Sequence, residues 1–360
     1  MNFSRHLLSR YHKNKRDLPW RHTKDPYLIW LSEVIMQQTR IEQGTPYYEK
    51  FVSAYPTLVH LAVAEEQEVL KLWQGLGYYS RARNLHATAQ LIVKEYAGKF
   101  PEAYADIRKL KGVGNYTAAA IASVCFGLPY PVMDGNVLRF ISRYSGIVES
   151  IDKSEVQKRI HAFVSDHIDH KNPGDFNQAM MEFGAMVCMP KNPDCAHCIF
   201  RKSCVAFKNN TVDQIPARNE KATIRNRFIH YLVITMTFRG KDFIYLNKRT
   251  GNDIWKNLYD FPSIEHNMAQ REHHLPENEF NVLLKSNRPE FLEVSDQYIH
   301  LLTHQKLHIR FYRFHSDRII ELPFFLIPLK DIHKYPVPKP VDLYIRGNIF
   351  SKKLDFAQKK

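Results

Sequence analysis

The chain has 360 residues, enough for two or three domains with a well-buried core. Its 51 Lys and Arg residues outnumber 37 Asp and Glu residues, and the resulting formal charge of +14 favours a polyanionic partner. No apolar run reaches the roughly 18 residues of a membrane span, and the amino terminus lacks the long apolar stretch of a secretion signal. We therefore expect a cytoplasmic protein without a membrane segment.

Residues 1–208 have the apolar periodicity of a mainly helical region. The stretch YLIWLSEVIMQQT (27–39) is apolar on nearly every side, which predicts a buried helix with one charged residue, Glu33. Amphipathic patterns predict further helices near 45–54, 65–73, 82–96, 103–110, 115–125, 135–145, 154–168 and 176–187.

A glycine hairpin is predicted near 104–124, where Gly112 and Gly114 precede a helix of small residues. Glycines let the backbone turn sharply and leave the amide groups accessible. Accessible amides at the start of a helix can hold an anion such as a phosphate. Asp134 follows in a turn before the next helical pattern, so this stretch predicts a phosphate grip close to a carboxylate.

Four cysteines, Cys188, Cys195, Cys198 and Cys204, are spaced C-x6-C-x2-C-x5-C. Thiolates at this density favour a bound metal over disulfides, and both zinc and iron–sulfur clusters are compatible with four of them. Zinc ribbons usually bring two close pairs, whereas this loop (188–204) has one. The fifth cysteine, Cys125, lies in the small-residue helix and is expected to be a core residue.

The remainder of the chain predicts a smaller α/β domain over residues 228–346. A polar segment without pattern, 209–227, precedes it and is predicted to be a linker. Strand patterns at 229–238 and 241–249 are joined by a short Arg239-Gly240 turn. Further strands are predicted near 301–314 and 323–328, with a helix at 276–286 and a basic tail at 347–360.

The glycine hairpin, Asp134 and the cysteine loop follow one another in the order of the endonuclease-III-type DNA glycosylases, a helix-hairpin-helix superfamily. The first 205 or so residues resemble its adenine DNA glycosylase (MutY-type) branch. That resemblance rests on LPWR (18–21), WLSEVIMQQT (30–39), GLGYYSRARNLH (75–86), MDGNVLR (133–139) and FNQAMMEFGAMVC (176–188). The carboxy-terminal part resembles the family's Nudix-like domain through WKNLYDFPS (255–263) and LLTHQKLH (301–308).

The resemblance implies a base excision repair enzyme that removes adenine mispaired with 8-oxoguanine or guanine in double-stranded DNA. It also implies a [4Fe–4S] cluster on the four cysteines, association with the nucleoid through DNA, and a monomeric protein. Two alternatives are an endonuclease-III-type glycosylase/lyase acting on oxidised pyrimidines and a basic iron–sulfur DNA-binding protein without catalysis.

Removing a base requires a proton for the leaving base and stabilisation of an oxocarbenium-like sugar, which two carboxyl groups in different environments can supply. Burial should raise the pKa of Glu33 and make it a general acid. Asp134 at a helix start should stay ionised and stabilise or capture the sugar cation. Taken singly, a buried Glu often pairs with an Arg and an Asp before Gly often only caps a helix.

Family members with lyase activity carry a nucleophilic Lys directly after the hairpin, where this chain has Tyr116. A phenol cannot form the imine that lyase chemistry needs. The chain is therefore predicted to be a monofunctional glycosylase, and Leu138 stands where some relatives have another Lys. The resemblance places Tyr116 and Asn136 beside the sugar and Asp134, although Tyr116 could also be an ordinary packing aromatic.

The target base must leave the duplex to be reached. By resemblance, Gln38 and Tyr78 push into the base stack, and Trp20, Arg21 and Gln178 contact the flipped adenine, with Trp20 equally compatible with a core role. Predicted phosphate contacts are Gly112, Gly114, Arg81, Arg83, Arg201 and Lys202.

The Nudix-like domain of the family reads 8-oxoguanine with a Phe-Ser-His loop, and the aligned residues here are Leu302, Thr303 and His304. Thr303 keeps a hydroxyl donor and His304 keeps a ring donor, whereas Leu302 loses the stacking face of Phe. An active Nudix hydrolase needs a Glu-rich metal-binding helix of the pattern REUxEExGU, where U is an aliphatic residue. This pattern is absent between 221 and 345, so nucleotide hydrolysis by this domain is not expected.

Overall fold

The computed structural model describes residues 3–217, 224–266, 277–284 and 289–349. The chain forms two compact units, one built from residues 1–63 and 84–220 and the other from 64–83 and 221–360. Among the described residues, no helix is long and apolar enough to cross a membrane.

The first unit is helical. Its central helix α2 (Pro26–Met36) begins where the Asp25 side chain accepts a hydrogen bond from the Tyr27 amide, with Pro26 in the first turn. The other helices are α1 (Phe3–Asn14), α3 (Ile41–Ala54), α4 (Leu58–Val63), α6 (Ser80–Glu95, whose first turn belongs to the second unit), α7 (Tyr104–Ile107), α8 (Asn115–Phe126), α9 (Gly135–Ser145), α10 (Ser154–His167), α11 (Pro173–Met186) and α12 (Val205–Lys208).

The core of this unit is rich in aromatic rings. Phe3 stacks on Phe200 with ring centroids 4.8 Å apart, and Phe140 packs 4.5 Å from Phe183. These rings come from α1, α9, α11 and the cysteine loop, so the loop is anchored directly in the hydrophobic core. Removing one such ring would cost about 3–5 kcal/mol of stability.

The second unit combines α5 (Glu66–Leu72) with a mixed sheet whose strand order is β3-β2-β1-β7-β5; in addition, β4 pairs with β1, β6 with β7 and β8 with β2. The long strands β1 and β7 run parallel, from the pair Arg225–Gln305 to the pair Met236–Ser316. The bounds are β1 (Arg225–Phe238), β2 (Lys241–Lys248), β3 (Tyr259–Asp260), β4 (Ser263–His266), α13 (Glu277–Leu284), β5 (Glu290–Val294), β6 (Tyr298–Leu301), β7 (Gln305–Ser316), β8 (Phe325–Pro328) and α14 (Lys339–Tyr344).

Three predictions about chain organisation differ from the structure. The linker predicted at 209–227 is too long, because Ile215 is buried, Ala217 bridges to Ser150 and β1 already begins at Arg225. The strand predicted at 301–314 is two strands, β6 and β7, separated by the turn that contains Thr303. The segment 64–83, predicted within a continuous region 1–208, belongs to the second unit. The tail from residue 350 lies outside the described residues.

Candidate active site and base-recognition residues

Glu33 lies on α2 with only 8% of its surface exposed. Burial raises the pKa of its carboxyl to about 7, and the charge of Asp134 acts in the same direction. A hydrogen bond from Tyr116 acts in the opposite direction but is outweighed. The predicted raised pKa agrees with this environment, and at neutral pH a large fraction of Glu33 carries a proton that it can donate.

Asp134 caps α9 by accepting hydrogen bonds from the Val137 amide at 2.8 Å and from Asn136 Nδ2 at 2.7 Å. The helix-start position is as predicted, but the expected direction of the pKa shift is wrong. Burial raises the pKa of Asp134, and the hydrogen bonds from Val137 and Asn136 offset only part of that rise. The carboxylate is therefore partly desolvated as well as oriented.

Tyr116, in the first turn of α8, is close to both carboxyl groups. Its hydroxyl hydrogen-bonds to Glu33 and lies 3.3 Å from Met181 Sδ. Burial, followed by the charges of Glu33 and Asp134, raises the pKa of the phenol well above its ordinary value. Tyr116 thus keeps its proton and donates a hydrogen bond to Glu33, with the Asp134 charge close enough to raise the pKa of the phenol further.

Arg139, which was not predicted, links Asp134 to the rest of the unit through Asn136. Its guanidinium donates to Asn136 Oδ1 at 2.9 Å, to the Gly184 carbonyl at 2.7 Å and to the Cys188 carbonyl at 2.8 Å. A Cβ on Gly184 would lie 2.5 Å from the Asn136 carbonyl oxygen, so only glycine permits this close approach of α11 to α9.

The residues predicted to contact adenine, Trp20, Arg21 and Gln178, line one cleft of about 620 Å³. Arg21 Nη2 lies 3.4 Å from Gln178 Oε1 and 2.8 Å from Glu182 Oε2, and Glu182 also accepts hydrogen bonds from Arg16. Burial opposes ionisation of Glu182, but these arginine hydrogen bonds outweigh it and lower its pKa to about 2.

Trp20 is buried and meets the Tyr48 ring edge-on at 5.3 Å, so it also serves as a core residue. The sequence analysis did not identify Glu182, although an acidic residue on the apolar helix α11 is a signal for a buried ion pair.

The four cysteines predicted to bind metal line a common cavity together with Arg143. Burial raises the pKa of the Cys198 thiol to about 11 and also raises those of Cys195 and Cys204, with the neighbouring cysteines adding to each shift. Arg143 Nη1 lies 3.5 Å from Cys188 Sγ.

In the part of the chain that the structure describes, no three His, Cys, Asp or Glu side chains converge closely enough for a single metal ion. The thiols of Cys188, Cys195, Cys198 and Cys204 line one cavity, a donor set that zinc or an iron–sulfur cluster can use. Cys125, predicted to be a core residue, is only half-buried and lines the same cleft as Trp20, Arg21 and Gln178; its partial burial raises the pKa of the thiol to about 12.

Gln38 and Tyr78, predicted to enter the base stack, both have a left-handed backbone, with φ of 54° and 46°. Such a conformation is uncommon for residues other than glycine and costs roughly 1 kcal/mol or more. Both side chains are exposed. Strain at two exposed side chains is typical of functional positions.

Arg81 is buried, with 9% of its surface exposed, which argues against the phosphate contact predicted for it. Its side chain is buried and donates to the carbonyl oxygens of Gly77 at 3.2 Å and Leu76 at 3.4 Å. The guanidinium also lies 5.0 Å from the Trp73 ring and 5.8 Å from the Tyr78 ring. Arg81 therefore holds the loop that presents Tyr78.

Other predicted phosphate contacts differ in their surroundings. Arg83 is half-buried and donates to the Lys256 carbonyl at 2.8 Å, whereas Arg201 and Lys202 are exposed. Gly112 has a left-handed φ of 80°, and a Cβ there would lie 2.9 Å from Asn84 Cβ. Gly114 begins α8. Contact of these residues with DNA stays a prediction.

The turn Leu302–His304 lies in the second unit, with Thr303 and His304 exposed. The hydroxyls of Thr303 and Tyr78 hydrogen-bond to each other. Both residues line a cleft of about 700 Å³, whose walls are formed by residues 75–80, 252–255 and 300–305. The predicted stack-entering aromatic and the predicted base-reading turn therefore share one cleft.

Comparison with known proteins agrees with this architecture. Residues 31–165 match the HhH-GPD superfamily of base excision DNA repair proteins, and residues 233–347 match the NUDIX domain. A solved thermostable thymine-DNA glycosylase is similar, with a TM-score of 0.53 and 28% identity over 57% of this chain and 95% of that one. An endonuclease III in complex with DNA shares the fold, with a TM-score of 0.50 and 21% identity over 57% of this chain and 94% of that one.

Fold and site together define a helix-hairpin-helix DNA N-glycosylase of base excision repair with an added Nudix-like domain. The chain is 34% identical over 333 residues to the adenine DNA glycosylase of Buchnera aphidicola (Acyrthosiphon pisum), covering 92% of this chain and 90% of that protein. It is 42% identical to the adenine DNA glycosylase of Rattus norvegicus, over 57% of this chain and 42% of that protein. The chain belongs to the adenine DNA glycosylase family, which confirms the resemblance read from its motifs.

Proposed function

We propose that this enzyme hydrolyses the N-glycosidic bond of adenine mispaired with 8-oxoguanine or guanine in duplex DNA, leaving an abasic site. The observation that carries the proposal is the grouping of Glu33, Tyr116 and Asp134 within the first unit. Two desolvated carboxyl groups lie near the Tyr116 hydroxyl, which hydrogen-bonds to Glu33. By the family resemblance, Tyr116 stands where a lyase carries its nucleophilic Lys. The enzyme would act as a monomer in the cytoplasm.

Glu33 is the proton donor to the leaving base. With a pKa raised to about 7 its carboxyl is protonated in a large fraction of molecules at neutral pH. Protonation of adenine at N7 makes it a better leaving group and the C1′–N9 bond breaks. Glu33 is then a carboxylate and can take the proton of the water that adds to C1′.

Asp134 stabilises the positive charge that develops on the sugar. Its orientation is set by the Val137 amide and by Asn136, which is itself held by Arg139. A carboxylate that is partly desolvated and fixed before the reaction stabilises a nearby cation more strongly than one in water.

The second unit would read the base opposite adenine. Thr303 and His304 offer side-chain hydrogen-bonding groups on an exposed turn, while Tyr78 stands beside Thr303 and Gln38 is presented by the first unit. 8-Oxoguanine offers an N7–H donor and an O8 acceptor, where guanine has only an N7 acceptor. Arg201, Lys202 and the amides near Gly112 and Gly114 would contact phosphates.

The loop 188–204 would hold a [4Fe–4S] cluster through Cys188, Cys195, Cys198 and Cys204. Support comes from the donor set, four thiols that line one cavity with the spacing C-x6-C-x2-C-x5-C. When bound, the cluster supplies iron–thiolate bonds that cross-link the loop. The measurement is the iron and acid-labile sulfide content of the purified protein, with Cys198→Ser as the variant that should lose both.

The decisive experiment is single-turnover base release from duplexes with adenine opposite 8-oxoguanine, guanine, cytosine or thymine. We expect release opposite 8-oxoguanine and guanine, and a loss on the order of 10³-fold in Glu33→Gln, because the general acid is removed. Near wild-type release by Glu33→Gln would refute the assignment. Borohydride should trap no covalent protein–DNA adduct, since Tyr116 cannot form an imine.

A further inference from the structure

Arg227 on β1 is a buried arginine of the second unit that base chemistry does not use. Its side chain is 7% exposed and uses all of its nitrogen atoms for hydrogen bonds. Nε donates to Glu265 at 2.6 Å, and Nη1 and Nη2 reach Asp253 at 3.0 and 2.7 Å. Nη1 also donates to Gln305 Oε1 at 2.8 Å. The planar guanidinium thus joins three segments of the chain.

Two of these segments line the cleft that contains Tyr78 and Thr303. Gln305 directly follows the turn Leu302–His304 and closes it, since its carbonyl accepts a hydrogen bond from the Leu302 amide at 2.8 Å. Asp253 belongs to the wall formed by residues 252–255.

The backbone of β1 holds the same turn at a second point, because the Arg225 amide donates to the His304 carbonyl at 3.0 Å. A turn that is bonded at its backbone and through the side chain of Gln305, the residue that follows it, has few alternative conformations. The backbone that carries the exposed side chains of Thr303 and His304 is then held in one conformation before any base arrives.

The Asp253 carboxylate in this group stays charged over the ordinary pH range. Burial disfavours the Asp253 carboxylate, but hydrogen bonds from Arg227 and the Ile254 amide outweigh it and lower its pKa to about 2. Arg249 Nη2 adds a second ion pair to Asp253 at 2.8 Å. Arg227 is therefore ion-paired to a carboxylate that stays charged. Its remaining donor holds the neutral side chain of Gln305.

We propose that Arg227 is a positioning residue which, through Gln305, orients Thr303 and His304 and so sets the preference for 8-oxoguanine over guanine opposite adenine. The proposal rests on the reading role given above to these two residues. The chemical step stays with Glu33 and Asp134 in the first unit, so Arg227 acts on selection of the opposite base and not on bond cleavage.

The test compares Gln305→Met with Gln305→Glu in the full-length protein. Methionine has a similar length but offers Arg227 no strong acceptor, whereas glutamate keeps one. For Gln305→Met we expect about tenfold weaker binding of the A:8-oxoguanine duplex, the equivalent of one hydrogen bond, and less than a twofold change for A:G. The single-turnover rate at saturating enzyme should be unchanged, and Gln305→Glu should restore the binding.

A matched pair of arginine variants separates positioning from stability. Arg227→Lys loses the planar fork and should lower the preference for 8-oxoguanine. Arg313→Lys makes the same change in the Arg313–Glu293 ion pair of β7, away from the cleft, and should leave the preference intact. Equal losses on both duplexes for Gln305→Met, or no loss on either, would overturn the proposal.

The double variant Thr303→Ala/His304→Ala distinguishes failure of this proposal from failure of the reading role. If the double variant leaves the preference intact, the reading role fails and the positioning role fails with it. If it lowers the preference while Gln305→Met does not, only the positioning role fails. When both are correct, Gln305→Met adds less than twofold in the double-variant background, because neither reading side chain is then left to orient.

Discussion

The proton on Glu33 controls the pH dependence of base release. A carboxylic acid with a pKa of about 7 loses its proton as the pH rises through that value, so the single-turnover rate should fall about tenfold per pH unit above it. Tyr116→Phe removes a hydrogen bond that favours the carboxylate, so the descending limb should move to higher pH. A rate that stays constant to pH 9 would contradict the role of Glu33.

Burial of Glu33 also has a cost in stability that appears only at higher pH. Its pKa is raised from 4.5 to about 7 on folding, so the folded state holds the proton more tightly and stability falls as the pH rises across that interval. Glu33→Gln carries no charge. It should exceed the wild type by about 3 kcal/mol in free energy of unfolding near pH 8, and match it near pH 4. Urea unfolding at the two pH values checks this, and an equal difference at both would show a packing effect instead.

Residues whose chemistry follows from their immediate neighbours were predictable from sequence. Glu33 is marked by its apolar flanks. By contrast, Arg139 and Glu182 were missed because their partners lie far along the chain: Arg139 bonds to a carbonyl 49 residues away, and Arg16 reaches Glu182 across 166 residues. For Asp134 the local rule of helix capping was right, but the pKa depends on burial by distant segments, which reversed the expected direction.

At the scale of elements, the loop 75–79 shows that a basic motif can be structural. SRAR supplies Arg81, which was predicted to contact a phosphate, yet its guanidinium lies 5.0 Å from the Trp73 ring. The left-handed backbone at Tyr78 cannot be recognised from the sequence, because the glycines on its amino-terminal side already account for a turn there. The direction of the arginine therefore could not be predicted from spacing alone.

Arg81 and Arg201 consequently have opposite expected phenotypes. Arg81→Met should lower the free energy of unfolding by about 2 kcal/mol, since it loses hydrogen bonds and ring contacts, and should leave the salt dependence of DNA binding unchanged. Arg201→Gln should reduce the slope of log affinity against log salt by about one, the contribution of one phosphate contact, and should leave the free energy of unfolding unchanged. Salt titrations and denaturation of both variants check this; a smaller slope for Arg81→Met would restore it as a phosphate contact.

At the scale of the whole molecule, the main difference between prediction and structure is that a region predicted to be continuous along the chain is divided between two units. The sequence analysis assigned residues 1–208 to one region because the helical texture runs through it without a break. The segment 64–83 nevertheless belongs to the second unit, where Lys71 Nζ donates to the Tyr335 carbonyl at 3.0 Å and Asn257 Nδ2 to Glu66 at 2.5 Å. Periodicity shows which face of a helix is apolar, but it does not show which distant part of the chain covers that face.

This division predicts how a truncated protein behaves. A chain ending at residue 217 lacks the partners of segment 64–83, including the Val337 amide that donates to Gln74 at 3.2 Å. Amides within 66–83 should therefore exchange hydrogen at least about tenfold faster than in the full-length protein, because opening this segment no longer breaks its contacts. Amides of α10, which packs on α9, should keep their protection and are the internal control. Equal protection of 66–83 in both proteins would contradict this prediction. It would mean that the part of the second unit after residue 217 does not stabilise the loop that presents Tyr78.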